Sequence, residues 1–333
     1  MEIRKVQLTG GSSFVLTLPK DWIRSLNIKK NDPLGLMVQP DGTLVVTSRT
    51  SQESVQMTKT IAVDEIEDPK HLFRMLIGAY VMGYTAIEIR SKTGIEQPLR
   101  AAVIDFTQTA IGPEIIEESA KDIIIKDLLS PTEMPFDKTI RRMSLLARSM
   151  HEDAVRALKE RDEALAAAVI ERDRELDRLH WLVARQSNVV LRDVTLAKKM
   201  GVSMEESSYY FLVSRIIERI GDHAVHIAKA LPGLSGKKLD AKTYERIYSA
   251  SQVSLSLFKN SVDAWFRKDI SAANDNLNSI EPLTEQCREI LGDAMRTSGP
   301  SAISLSYIAE SIRRTGEYSG NLSELVINNL MRN

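Results

Sequence analysis

Short runs of apolar residues, separated by turn residues, dominate the first fifty positions of the chain. Two runs flank Gly10-Gly11, two more flank Pro40-Asp41-Gly42, and a short helix opened by Pro19 is predicted between them. The pattern predicts two β-hairpins joined by a helix in a domain over residues 1–50. Because four short strands bury only a small core, this domain is expected to need a partner, such as a second copy in a dimer of interlocked hairpins.

The next segment alternates between strand and helix patterns. After a polar linker at 51–57, strands are predicted in TKTIAV, TAIEIR, PEIIEES and DIIIKDL, and helices in HLFRMLIGAYVMGY and EQPLRAAVIDFTQTAI. This alternation predicts a small α+β module over 58–132, without a phosphate-binding loop or a catalytic elbow. We interpret its Glu114, Glu117 and Glu118 as a solvated strand face. The sequence leaves the role of the module open.

From residue 136 onward, apolar residues recur with the period of a helix. The helices are predicted near 136–160, 163–192, 203–231, 240–267, 270–297 and 301–331. The order of long helix, helix and long helix recurs, which predicts two three-helix repeats over about 136–232 and 240–333. The expected fold class is therefore a multidomain α+β protein with an all-α six-helix bundle over 136–333.

The charge and the cysteine content of the chain limit the classes of function that fit the sequence. The net charge of the chain is −1, whereas residues 1–50 carry seven Lys and Arg against four Asp and Glu, a local excess of +3. Cys287 is the only cysteine, so neither an intramolecular disulfide nor a cysteine-based zinc site can form within one chain. No stretch reaches the roughly 18 apolar residues of a membrane helix, and the chain does not begin with a signal pattern. We expect a soluble, cytoplasmic protein that is not membrane-embedded.

Two pairs of acidic residues stand out in the helical part. Asp173 and Asp177 lie four positions apart, as do Glu218 and Asp222 in the next long helix. The two pairs are equidistant from the turn predicted in LRDVTLAKKMG, so an antiparallel helix hairpin brings all four carboxylates to one level. Like charges this close repel strongly unless something neutralises them.

A metal ion is one way to neutralise the four carboxylates. Oxygen-rich ligand sets suit Mg, Mn or Fe, with Zn also considered, and paired carboxylates on facing helices resemble di-metal bundles. His223 and His226 are close enough in sequence to add a nitrogen ligand, although a lone histidine is more often structural. The alternative is surface salt bridging by neighbouring arginines. The candidates are Arg172, Arg174, Arg178, Arg215 and Arg219.

The second repeat offers a weaker version of this arrangement. Glu281 and Glu285 stand opposite Arg313 and Glu317 across the turn at Gly299-Pro300. An arginine thus occupies the position of an acidic residue, which favours a salt-bridge network over a metal. We treat Glu281, Glu285 and Glu317 as a weak second metal site. Pro282 is also expected to kink or interrupt its helix.

Particular segments resemble two known families. The segments VIERDRELD and IIERIGDHAVHIAKAL resemble PhoU, the phosphate-uptake regulator. This resemblance covers roughly 136–333 and implies a six-helix bundle with multinuclear metal clusters at its E/D-x-x-x-D motifs. The segment RKVQLTGGSSFVLTLPKDWIRSLNIKKND is similar to AbrB-type swapped-hairpin DNA-binding domains. The combination resembles archaeal AbrB–PhoU fusions, which are regarded as phosphate regulators.

The candidate DNA-binding residues lie at the basic N-terminal end. A swapped-hairpin homodimer would double the local positive charge, and Lys or Arg contacts to phosphates supply affinity. The candidates are Arg4, Lys5, Ser12, Ser13, Lys20 and Arg24. The alternative is an ordinary small β-domain, or a dimerisation module of the toxin–antitoxin kind, with solvated charges.

Three functions are consistent with the sequence. The first is a phosphate-responsive transcriptional regulator that senses through a metal-binding bundle. The second is an adaptor without DNA binding, which regulates a phosphate transporter or a sensor kinase. The third is a di-metal hydrolase, which ranks last because no nucleophile–base pair or substrate-binding arginine cluster accompanies the carboxylates. We therefore expect a protein that is not an enzyme.

Overall fold

A computed structural model describes residues 2–38, 42–48, 57–234 and 240–331. The chain divides into two compact units, Met1–Gln56 and Met57–Asn333. The predicted linker at 51–57 lies outside the described residues except for Met57, and the predicted turn at Pro40-Asp41-Gly42 lies outside them except for Gly42. No helix in the described part of the chain is long and apolar enough to cross a membrane.

The first unit consists of two separate hairpins and one short helix. Strands β1 (Gln7–Thr9) and β2 (Ser13–Val15) pair antiparallel, as do β3 (Gly35–Val38) and β4 (Leu44–Thr47), and α1 (Lys20–Ser25) lies between the hairpins in sequence. The two hairpins do not join into one sheet. None of the described side chains of this unit is fully buried, so a single copy has no closed core.

The middle module contains a four-stranded mixed sheet and two helices. In chain order the elements are β5 (Thr58–Ala62), α2 (Pro69–Val81), β6 (Ala86–Arg90), α3 (Gln97–Thr109), β7 (Pro113–Glu118) and β8 (Asp122–Asp127). The strand order is β5-β6-β8-β7, with β5 and β6 parallel and the other pairs antiparallel. Isoleucines alternate along the inner strands and bury one face of the sheet together with Leu72, Leu76 and Phe106 of the helices. Glu114, Glu117 and Glu118 are exposed.

The rest of the second unit is a helical bundle. Its helices are α4 (Phe136–Glu160), α5 (Glu163–Val190), α6 (Val194–Met200), α7 (Met204–Lys229), α8 (Ala241–Arg267), α9 (Ile270–Asn278), α10 (Ile280–Arg296) and α11 (Pro300–Leu330). The fold is the predicted one: a multidomain α+β chain with two three-helix repeats at its C-terminal end. One continuous core of buried apolar residues runs through both repeats.

Two local features of the bundle differ from the sequence prediction. The helix predicted over 270–297 is divided into α9 and α10, and the division falls at Ser279 rather than at Pro282. Pro282 lies in the first turn of α10, where a helix tolerates proline because no N–H is needed there. The turn predicted between the first two carboxylate pairs contains the short helix α6, which is capped at its start by Asp193.

Candidate metal centre and nucleic-acid interface

Helices α5 and α7 place the four predicted carboxylates side by side. Local signals fix where each helix begins: the Asp162 side chain accepts from the N–H of Leu165 at the start of α5, and Ser203 forms a capping box with Glu206 at the start of α7. The two helices approach closely at the level of the carboxylates because a glycine without a Cβ lies at their contact. A Cβ added at Gly221 would lie 2.1 Å from Cδ2 of Leu176.

The pKa values show that the structure brings these carboxylates together. Burial, followed by the neighbouring Asp173, Glu218 and Asp222, raises the pKa of Asp177 to about 7. Burial and then Asp222 raise the pKa of Asp173. The pKa of Glu218 is also raised, by burial first and Asp222 second. The fold therefore holds the acidic groups where their charges oppose one another.

Most of the nearby arginines do not neutralise this cluster. Arg172 pairs with Asp153 at 2.6 Å, Arg174 with Asp105 at 3.1 Å and Arg178 with Glu175 at 3.6 Å. Only Arg219 reaches the cluster among the ion pairs of the described residues, with Nε 3.8 Å from Oε2 of Glu218. The positive charge of Arg215 lowers the pKa of Asp177 in part, as the last of the causes acting on it. Salt bridging therefore accounts for little of the required positive charge.

The donor atoms fit a hard metal cation. Oδ1 of Asp173 and Oε2 of Glu218 are buried and accept no hydrogen bond from the described part of the chain. Buried acceptors without a donor are costly, so a cation would satisfy both the charge and the unused lone pairs. Across residues 2–38, 42–48, 57–234 and 240–331, no three acidic, histidine or cysteine side chains already surround a common metal position. Binding therefore requires the carboxylates to turn toward one another across the α5–α7 contact.

Histidines border the carboxylates on two sides. Nδ1 of His223 is buried without a hydrogen-bond partner in the described residues, its ring is 5.3 Å from that of His226, and burial lowers its pKa to about 4. His180, which the sequence reasoning missed, lies opposite Ser214, with Nδ1 2.9 Å from Oγ. Extending the antiparallel register of Asp177 and Glu218 by one turn would have found this pair. Burial lowers the pKa of His180 to about 4, so both rings are neutral near neutral pH.

In the second repeat, α10 and α11 also approach closely at a glycine, but the equivalent positions of α10 are not acidic. A Cβ on Gly316 would lie 2.2 Å from Cδ2 of Leu283, as Gly221 meets Leu176 in the first repeat. Counting from this contact, the positions equivalent to Asp173 and Asp177 are Ile280 and Thr284.

Glu281 and Glu285 therefore each lie one residue beyond the positions equivalent to Asp173 and Asp177. Glu281 and Glu285 are exposed, and Glu285 pairs with Arg288 at 2.9 Å. Arg313 pairs with Glu317 and, at 2.7 Å, with Glu310. The carboxylates that remain at this level have cationic partners from the chain itself, in line with the salt-bridge network that we expect there.

The candidate DNA-binding residues are accessible in the first unit. Arg4 is half-buried, pairs with Glu2 at 2.7 Å and donates to Oγ1 of Thr17 at 3.0 Å. Lys20 and Arg24 lie four residues apart on α1 and therefore share one face of that helix. The remaining candidates are also exposed: Lys5, Ser12 and Ser13. The geometry thus offers basic groups on the surface without showing what they bind.

Comparisons with known proteins match both parts of the chain. A family model for the PhoU domain matches residues 140–231, and one described as "Antidote-toxin recognition MazE, bacterial antitoxin" matches residues 7–53. The chain thus belongs to the class of multidomain proteins that combine a small β domain with a helical bundle. Residues 7–53 carry a MazE/AbrB-type antitoxin domain and residues 140–231 a PhoU domain.

Curated relatives match more than half of the chain. The chain is 24% identical over 195 residues to a phosphate-specific transport system accessory protein PhoU homolog of Clostridium acetobutylicum, covering 56% of this chain and 86% of the relative. A homolog of the same name from Rhizobium meliloti is 27% identical over 199 residues, covering 57% and 81%. The crystal structure of PhoU from Pseudomonas aeruginosa superposes with a TM-score of 0.51 at 20% identity, over 59% of this chain and 95% of that chain. The structural match shows a shared fold.

Proposed function

We propose that this protein is a phosphate-responsive transcriptional regulator of the cytoplasm. In this proposal a dimer of the N-terminal unit binds DNA, and the bundle senses phosphate status with the help of a metal ion held between α5 and α7. The observation that carries the proposal is the presence of a MazE/AbrB-type domain and a PhoU domain in one chain. The relatives are named as accessory proteins of phosphate transport, which supports a regulatory rather than an enzymatic role.

Exposed apolar side chains support a homodimer through the N-terminal unit. Ile3, Phe14 and Val38 are 86%, 78% and 79% exposed, and Leu8 and Leu36 are also largely exposed. An apolar surface of this extent on a small unit without buried residues indicates an interface. A second copy supplies matching hairpins with the same apolar residues, as expected for interlocked strands.

The metal ion would be held by Asp173, Asp177, Glu218 and Asp222. Carboxylate oxygens suit Mg, Mn or Fe, and Zn is a further candidate. When bound, the ion would supply the positive charge that these residues lack and would favour a closer contact between α5 and α7. The buried oxygens of Asp173 and Glu218 without donors support this assignment.

DNA binding over a salt series tests the proposal. Full-length protein is compared with Lys20→Ala/Arg24→Ala on DNA from upstream of phosphate-transport genes and on random DNA of equal length. We expect preference for the upstream DNA and a steep loss of affinity with salt, with the slope reduced by about 0.9 for each phosphate contact that the variant loses. The control is Lys121→Ala, which removes an exposed lysine from the middle module. Equal binding to both DNAs by the wild-type protein would contradict DNA-directed regulation.

The adaptor function is the second candidate. It is favoured by the names of the relatives, which describe accessory proteins of a phosphate-specific transport system. In that case the N-terminal unit only dimerises. Binding of the full-length protein to a phosphate transporter or a sensor kinase, without DNA preference, would support the adaptor.

A further inference from the structure

Three side chains, two on the last turns of α5 and one just after its C-terminal end, donate hydrogen bonds to carbonyl groups at the C-terminal end of α2 in the middle module. The last carbonyl groups of a helix lack partners within the helix. Arg185 Nη1 donates to the carbonyl of Tyr80 at 2.7 Å, Asn188 Nδ2 to that of Val81 at 2.9 Å, and Arg192 Nη1 to that of Met82 at 2.8 Å. We call Arg185, Asn188 and Arg192 the α2 clamp. Two of its members are cations at the negative end of the α2 dipole, which adds a favourable electrostatic contribution.

Arg185 also joins α2 to the sheet. Its side chain is almost fully buried and pairs with Asp127 at the end of β8, with Nη2 2.6 Å from Oδ2. The same guanidinium donates to the carbonyl of Tyr84 at 2.9 Å and lies 4.9 Å from the ring centre of Tyr80. The buried guanidinium thus has partners on several sides. Because a shift of Arg185 would leave these partners without their hydrogen bond or ion pair, the contacts favour a single geometry.

Steric fit reinforces the clamp. Gly83 has a φ of +86°, and a Cβ added there would lie 2.7 Å from Cγ2 of Val189 on α5. Farther along, Phe73 of α2 meets Trp181 of α5 edge to face, with ring centres 6.4 Å apart. The middle module and α5 are therefore closely packed along more than one turn of α5.

The chain enters the middle module at the same place. Met57 is the first residue of the second unit. Its N–H donates to Oγ1 of Thr85 at 2.9 Å, and its carbonyl accepts from the N–H of Thr85 at 2.9 Å. Its sulfur lies 3.7 Å from Nη1 of Arg192. The second unit thus begins beside the clamp.

The clamp and the candidate metal centre share helix α5. Arg174, Arg178, Trp181 and Arg185 follow at helical spacing along the side that faces the module, and Asp173 precedes the first of them by one residue. At a rise of about 1.5 Å per residue, the eight residues from Asp177 to Arg185 span about 12 Å. A shift of α5 at the carboxylates would therefore reach the module over a short distance, along one continuous helix.

We propose that the middle module is a coupling element, in which the α2 clamp transmits a change in the α5–α7 contact to β5. This inference rests on the proposed function and gives residues 57–130 a role within it. The coupling is a property of α5 and the module, so it can be measured without DNA.

Hydrogen–deuterium exchange of the full-length protein with and without Mn²⁺ tests the coupling. The variant is Asn188→Ala/Arg192→Ala, which opens the clamp but keeps Arg185, because removing Arg185 would leave Asp127 buried and unpaired. The control is Arg148→Ala, which removes an arginine paired with Glu152 on α4 at 2.9 Å. In the wild type and the control, we expect Mn²⁺ to slow exchange in α5, in α7 and in β5 by about fivefold or more. In the double variant the slowing is confined to α5 and α7.

Two results would overturn the coupling: slowing that stops at α5 in the wild type, or slowing of β5 that persists in the double variant. Equilibrium dialysis reports separately whether Mn²⁺ binds. If it does not bind, the proposed metal centre fails, and Asp177→Asn replaces Mn²⁺ as the change at the α5–α7 contact. The same comparison of β5 exchange, with the clamp intact or opened, then decides the coupling.

Discussion

Asp177 is one of four carboxylates that lie at one level between α5 and α7. Its pKa is raised to about 7 from an ordinary value of 3.8 by burial and by the three acidic neighbours. The folded state therefore holds this proton more tightly than the unfolded state. The contribution of Asp177 to the stability of the metal-free protein therefore falls as pH rises from about 4 to about 7 and is level above that range.

Asp177→Asn is expected to stabilise the metal-free protein above neutral pH. The amide cannot ionise, so the variant should melt at a higher temperature than the wild type near pH 8, with a difference that vanishes near pH 4. Thermal unfolding in the presence of a chelator, over this pH range, measures the difference. Glu171→Gln, an exposed position on the same helix, serves as control. A melting difference that is constant across pH would show that Asp177 is not the titrating group.

Removing one carboxylate from each helix is expected to reduce metal binding. Asp173→Ala with Asp222→Ala should lower the metal bound after incubation with Mn²⁺ while circular dichroism still shows a folded bundle. The matched control is Glu281→Ala with Glu285→Ala, which removes two exposed acidic residues from the second repeat. Metal content by elemental analysis should be unchanged in the control. Unchanged content in the first variant would disprove the site.

At the scale of elements, Gly221 sets the distance between α5 and α7. Gly221→Ala should destabilise the protein by about 1–3 kcal/mol, because the new Cβ overlaps the fully buried Leu176. Gly78→Ala is the control, since this glycine of α2 has open space around it. That change should stabilise the protein by about 0.5–1 kcal/mol through helix propensity. Denaturant unfolding measures both, and equal effects at the two glycines would argue against close packing at Gly221.

The elements and the first carboxylate cluster were predictable because both follow from periodicity. A helix places residues four apart on one face, and an antiparallel hairpin matches positions equidistant from its turn. The same arithmetic is shifted by one residue in the second repeat, where Ile280 and Leu283 pack against glycines of α11. Glu281 and Glu285 are exposed there. A slip of one residue rotates a side chain by about 100° on a helix, which converts a predicted ligand into an exposed residue.

The contacts between distant segments were not predictable. The α2 clamp joins side chains of α5 to carbonyl groups roughly a hundred residues earlier, and such bonds leave no periodic signal in the sequence. His180 was missed for a different reason: a single histidine at a core position looks like any buried ring until its partner Ser214 is known.

At the scale of the whole molecule, self-association through the N-terminal unit is the central prediction. Phe14→Asp should shift the full-length protein from dimer to monomer, because a charge at a buried interface position lacks a partner. Lys30→Asp is the control, since it changes the charge at a position that is already exposed and polar. Sedimentation equilibrium measures the mass of both variants. A dimeric Phe14→Asp protein would place the interface elsewhere.

Arg313 affects the expected shape of a metal titration of this protein. Its guanidinium is part of the chain, paired with Glu310 and Glu317, so it cannot dissociate into solution. With the proposed metal bound, the two repeats of one chain would therefore hold one permanent and one exchangeable positive charge. A metal titration of a single chain should follow a simple hyperbola with a Hill coefficient of about one, and any steeper response must arise between the two chains of a dimer.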